Sequence, residues 1–139
     1  MNTRSTLRSR GTTIVETAVV LPLLLILTFG ALKYGWLFFK WQQITNITRH
    51  AARIAILPGN RSGEVAALIS TRLAECGIPA NGVSISVPNG WNPGVGNELT
   101  LEISVPAANV DILRLKGPLI GLPTPTSLTA RVVMSKEGP

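Results

Sequence analysis

The sequence has little with which to do chemistry. It holds one cysteine (Cys76), one histidine (His50) and seven acidic side chains in 139 residues. A single cysteine excludes an internal disulfide and a cysteine-based zinc cluster. A bridge between two chains stays open, but at the end of an apolar helical face Cys76 reads more simply as a small buried hydrophobe. His50 stands among Arg49, Ala51 and Arg53, without the oriented partner that a general base or a nucleophile relay needs. Glu64, Glu75, Glu98, Glu102, Asp111 and Glu137 are scattered, with no spacing that implies a metal site. No enzymatic activity, cofactor or metal is expected.

Charge of both signs is scarce as well. Charged residues are 14% of the chain, against about 25% in an average soluble protein, so something other than water must solvate part of it. Basic side chains exceed acidic ones by 13 to 7, a net charge of +6. Three of them, Arg4, Arg8 and Arg10, crowd the first ten positions, and without them the balance is 10 to 7, or +3. So much of the excess at one end argues against a nucleic-acid surface.

What the chain does have is a long apolar run. No charge interrupts Thr17 to Leu32. That is slightly short of the roughly 20 residues a spanning helix needs. Ile14, Val15 and Trp36-Leu37-Phe38-Phe39 extend it. Lys33 falls inside the extension, where a lysine near a helix end can snorkel to the headgroups. Tyr34, Trp36 and Trp41 occupy the places of an interfacial aromatic belt. Pro22 lacks a backbone donor and is expected to kink the helix. Gly30 and Gly35 are small enough to let another helix approach. Basic residues flank both ends of the run, so the positive-inside rule does not decide its orientation. Glu16 sits at the edge of the run. A carboxylate there is costly, roughly 2.5–3.5 kcal/mol near a helix centre and less toward its ends, and is a functional-site candidate by default.

Behind the run the pattern becomes that of a small domain. Ile44, Ile47, Ala51 and Ile54 recur at helical spacing, and Pro58-Gly59 ends that pattern. One helix from about Thr12 to Leu57, on the order of 65–70 Å long, is expected, its later half packing on the domain's own sheet. Ser62 is placed to cap a second helix with Glu64 in its first turn. Val65, Leu68, Ile69, Leu73 and Cys76 form its apolar face, and Gly77 and Pro79 stop it. Three alternating segments follow: Val83, Ile85, Val87; then Leu99, Leu101, Ile103, Val105; then Leu128, Ala130, Val132, Met134. Period-two alternation predicts an antiparallel sheet with one face buried. The first two segments form a hairpin around a loop from about Asn89 to Glu98. The third follows a crossing from Pro106 to Pro125, too apolar for a free linker, with a short helical turn expected near Val110 to Leu115. The fold class is α+β: a long helix and a second helix on a sheet of about three strands. The glycine-rich stretch from Asn89 to Asn97 lies between strands, whereas a phosphate loop would open a helix. Its Trp91 is an interface candidate, or packs on its own domain. Two glycosylation sequons, at Asn46 and Asn60, carry no weight, the first because it lies within a helix.

A basic stretch, a glycine and then an apolar segment suggest a targeting segment that is removed. The run Arg10-Gly11-Thr12-Thr13-Ile14-Val15-Glu16-Thr17-Ala18, with Pro22 amid leucines, resembles the leader and membrane helix of type IV prepilin-like proteins. More closely, it resembles the TadE-like minor pilins and pseudopilins of the tight-adherence (Tad, or Flp) pilus. The closing segment Ser127-Leu128-Thr129-Ala130-Arg131, then Val133 to Glu137, is similar to that family's last strand, departing from it at Ser135, where the family has arginine. The resemblance implies a cut between Gly11 and Thr12 by a prepilin peptidase. It implies a Glu16 that pairs with the new amine in assembly. It also implies a single-pass protein of the cytoplasmic membrane, with its N-terminus inside and its domain outside. Its partners would be other Tad pilins and the inner-membrane assembly platform, in a pilus used for adhesion and surface attachment. The chain then divides into a leader (1–11), a membrane helix (12–41) and an extracytoplasmic α+β domain (42–139). The alternative is an uncleaved single-pass envelope protein whose outer domain is a binding module.

Overall fold

A computed structural model describes residues 6–59, 61–94, 96–111, 123 and 125–136, with residues 6–12 as backbone alone. The element order is helix α1 (Thr6–Ala55), helix α2 (Ser62–Glu75), strand β1 (Ser84–Ser86), strand β2 (Glu98–Pro106), a 3-10 turn (Ala107–Asn109) and strand β3 (Ser127–Ser135). This is the α+β order the sequence predicts. The 3-10 turn comes three residues earlier than the expected helical turn, most of which, with the apolar crossing beyond Asp111, lies outside the described residues.

Helix α1 has 50 residues, about 75 Å at 1.5 Å per residue. It is unbroken through Pro22. It stops two residues short of Leu57, where Leu57 N–H donates to Ile54 O at 3.2 Å and Gly59 takes φ 100°. In α2, Ser62 is the first helical residue and Arg61 takes the cap position, so the expected cap is displaced by one. Arg61 pairs with Glu64 at 2.8 Å instead, with the acid in the first turn, where the helix dipole favours it. The helix ends where Gly77, at φ 67°, provides the left-handed residue of a C-terminal cap.

The sheet is a meander, β1-β2-β3, with both pairings antiparallel. Register puts Ile85 opposite Ile103, Leu101 opposite Val132 and Ile103 opposite Ala130. One face is therefore aliphatic and the other carries Ser84, Ser86, Glu102, Thr129 and Arg131. Strand β1 is shorter than its alternation suggests. Pro88 cannot donate to a ladder, but Val83 and Val87 still lie against the core.

Helix α1 packs against α2, β2 and β3. Ile44, Ala51 and Ala52 are fully buried, and so are Val65 and Ile69 of α2 and Leu99, Leu101, Ile103 and Val105 of β2. All belong to one cluster. Thr48 is buried among them, its hydroxyl donating to Ile44 O at 2.8 Å, which satisfies that buried polar group within the helix itself. The later half of α1 is thus a structural member of the domain.

Candidate functional site: the projecting half of the long helix

Seventeen consecutive positions, Thr13 to Phe29, are all exposed on α1. Ile14, Val19, Leu23 and Leu27 are each at least 66% exposed. The helix is apolar around its whole circumference there, the mark of a segment made for a non-aqueous or fully covered environment. It is the one helix among the described residues long and apolar enough to cross a membrane.

The hydroxyls of this stretch are turned inward on the helix. Thr17 donates to Thr13 O and Thr28 to Leu24 O, each at 2.8 Å. Such i−4 bonds hide a polar group against the backbone. Glu16 has no such recourse. Its carboxylate is exposed beside a shallow groove lined by Thr13, Thr17, Val20, Leu21 and Leu24. A charge in that setting calls for a counter-charge from elsewhere. Gly11 and Thr12 lie one turn away in helical backbone.

Where α1 meets the domain, five side chains tie it down. The Tyr34 hydroxyl donates to Pro123 O at 2.8 Å, Trp36 Nε1 to Val110 O at 2.8 Å, and Trp41 Nε1 to Thr129 O at 3.1 Å. The Lys40 ammonium donates to Cys76 O at 2.6 Å and stands 5.0 Å from the centre of the Trp36 ring. Lys33 pairs with Asp111 at 3.6 Å. The aromatic tips read from sequence as a membrane-interface belt are thus spent on backbone carbonyls of the domain. Lys33, read as snorkelling to headgroups, is 3% exposed and turned into the protein. The polar tips need hydrogen-bond partners in either setting, and the fold supplies protein ones. Asp111 was the residue that sequence reasoning missed. Its signal was isolation: it is the only acid between Pro106 and Pro125, as Lys33 is the only charge between Glu16 and Lys40.

The remaining candidates scatter. Gly30 is buried, whereas Gly35 is exposed with nothing within 4 Å of an added Cβ. Trp91 is partly buried against the core, and Cys76 is a free thiol of intermediate exposure. Neighbouring Asn92 accepts a hydrogen bond from the Lys136 ammonium, which ties the hairpin loop to the end of β3. His50 is exposed, far along α1 from Glu16. Among the described residues, no three His, Cys, Asp or Glu side chains are grouped to hold a metal ion.

Comparison with known proteins points to the same helix. The family model described as TadE-like protein matches residues 11–53. That covers the glycine, Glu16, the apolar run and most of the helix face that enters the core. No curated protein and no solved structure matches the chain.

Proposed function

We propose, from a chain that is TadE-like over residues 11–53, that this protein is a minor pilin or pseudopilin acting in the assembly or initiation of a tight-adherence pilus. The TadE-like match supports a place in that pilus, and the length and apolar character of α1 support its use as a membrane anchor. The reading goes further. A prepilin peptidase cuts between Gly11 and Thr12, and the cut protein stays in the cytoplasmic membrane with its domain outside until partner pilins or the assembly platform take it up. Its role is structural, not enzymatic. The observation that carries this is the exposed apolar half of α1 with a single carboxylate near its start. A permanent anchor needs the apolar residues but has no use for Glu16, which is costly there.

After the cut, Thr12 bears an amine four positions from Glu16, about 6 Å along the axis. That amine, of the same or a neighbouring subunit, is the counter-charge the carboxylate calls for. Glycine at the cleavage point lets a peptidase at the membrane surface approach the backbone closely. Mass spectrometry of protein extracted from membranes of cells carrying the peptidase tests the cut. The wild type is expected to begin at Thr12 and Gly11→Phe to retain Met1 to Gly11. A wild-type protein that keeps its first eleven residues sinks the reading and leaves an uncleaved envelope protein. Glu16→Gln is expected to give the normal cleavage product and a folded domain but to impair piliation or capture by partner pilins. Unchanged piliation would make Glu16 a headgroup-facing residue only.

A further inference from the structure

We infer that the bilayer climbs one side of α1 past the edge of the domain, to about Phe39. The domain then sits beside the hydrocarbon on its own face of the helix, not above it. This rests on the reading that α1 is inserted in a membrane, and it names the surface that the stretch from Ala31 to Phe39 presents.

Over that stretch the helix is inside out for a protein in water. Its one cation, Lys33, and the next along the helix, Lys40, are buried at 3% and 8% exposure against the domain. The open face carries Leu32 at 58%, Phe38 at 59% and Phe39 at 50%, with Ala31 and Gly35 between them. Water would favour the reverse arrangement. Burying a charge is costly unless it is paired, and large exposed apolar patches are uncommon on soluble surfaces. Inside a bilayer the pattern is the expected one: ionisable side chains face protein and pair there, as Lys33 does with Asp111, while apolar ones face lipid. The one polar aromatic tip on the exposed side, Tyr34, is tied to Pro123 O.

Length argues for the same occupant. Thr13 to Phe29, the stretch exposed on every side, is about 25 Å long at 1.5 Å per residue. The hydrocarbon core is about 30 Å thick and needs roughly 20 residues. Twenty residues reach Leu32 when counted from Thr13 and Gly35 when counted from Glu16. At this end of the span the deficit is made up when lipid continues along the open face beyond Gly30, where the domain already covers the other side. The face from Leu32 to Phe39 is continuous with the spanning stretch, so acyl chains cover it with no new interface. A second copy of the helix is the competing occupant.

The test uses the full chain with Cys76→Ser, reconstituted in phosphatidylcholine–phosphatidylglycerol vesicles. Single cysteines replace Val20, Leu32, Gly35, Phe39 or Asn46, and each carries an environment-sensitive fluorophore. All five positions are on exposed helix surface, so the core is untouched. Brominated acyl chains and aqueous iodide are the two quenchers. Probes at Leu32, Gly35 and Phe39 are expected to follow Val20, dimmed strongly by brominated lipid and little by iodide, while Asn46 shows the reverse. If Gly35 and Phe39 follow Asn46, the face is in water and the inference is overturned. If neither quencher reaches them, protein covers the face and a second copy takes the place of lipid. Should Val20 itself respond to iodide, membrane insertion of α1 has failed, and this inference with it.

Discussion

A chain cut back to residues 59–139 is expected to be unfolded or to aggregate, whereas one beginning at Gln42 is expected to melt cooperatively. The three-stranded sheet offers one aliphatic face, with Leu99, Leu101, Ile103 and Val105 at 0% exposure. Much of what covers it is α1. Ile44, Ala51 and Ala52 are completely buried, and Ile47 and Ala55 nearly so. Removing a buried isoleucine down to alanine costs about 2–5 kcal/mol, and the shorter chain loses two such side chains with the backbone that carries them. A unit of this size seldom holds more than about 3–5 kcal/mol in its core, and a single cysteine allows no disulfide to compensate. Starting at Gln42 keeps the whole buried face of α1 from Ile44 onward. It loses the core side chain of Leu37 and the bonds made by Lys33, Tyr34, Trp36, Lys40 and Trp41, and keeps the larger part of the sheet's cover. Far-ultraviolet circular dichroism and thermal melts of the two chains decide the matter. A cooperative transition at a similar temperature in the shorter chain would mean that the Ile44 to Ala55 face is dispensable and free for another subunit.

The Lys33–Asp111 pair gives the second large effect, and its two halves are expected to differ. Asp111→Ala leaves an ammonium that is 3% exposed without its counter-charge. Stranding a buried charge costs about 3–5 kcal/mol. Lys33→Met keeps the alkyl stem in place, and the carboxylate it abandons is 15% exposed and can be hydrated. It is expected to cost distinctly less, and the double variant less than Asp111→Ala alone. Thermal melts of the full chain in detergent measure all three, followed through the near-ultraviolet signal of the tryptophans. Equal and additive losses from the two single variants would show that the charges, 3.6 Å apart, are not energetically coupled.

Much of the fold was legible from the sequence because its elements are local patterns. Leu99, Leu101, Ile103 and Val105 alternate with polar residues on β2, and all four are fully buried. A side-chain period of two is a property of the extended backbone and needs no knowledge of neighbours. The spacing of Ile44, Ile47 and Ala51 marks a helix face in the same way, and the charge-free run marks its apolar half. The TadE-like likeness was visible too, since the match runs over one contiguous stretch, residues 11–53. The cap of α2 and the length of β1 were missed by a residue or two, because ends depend on competing hydrogen bonds.

What only the tertiary structure decided is where the polar tips of the middle of α1 go. Trp36 donates to a carbonyl 74 positions away, Trp41 to one 88 away and Tyr34 to one 89 away. Nothing in the spacing of Tyr34, Trp36 and Trp41 separates a headgroup belt from a clamp on the domain, for both settings reward an amphipathic ring with one wet end and one dry. Lys33 is the same case. A lone lysine in an apolar run either reaches for water or finds an acid, and the choice belongs to the turn after β2, Ala107 to Asp111, that brings Asp111 to it. Local periodicity therefore determined which segments are helix, strand and apolar span. Long-range packing determined how much of that span is shared between the domain and whatever surrounds it.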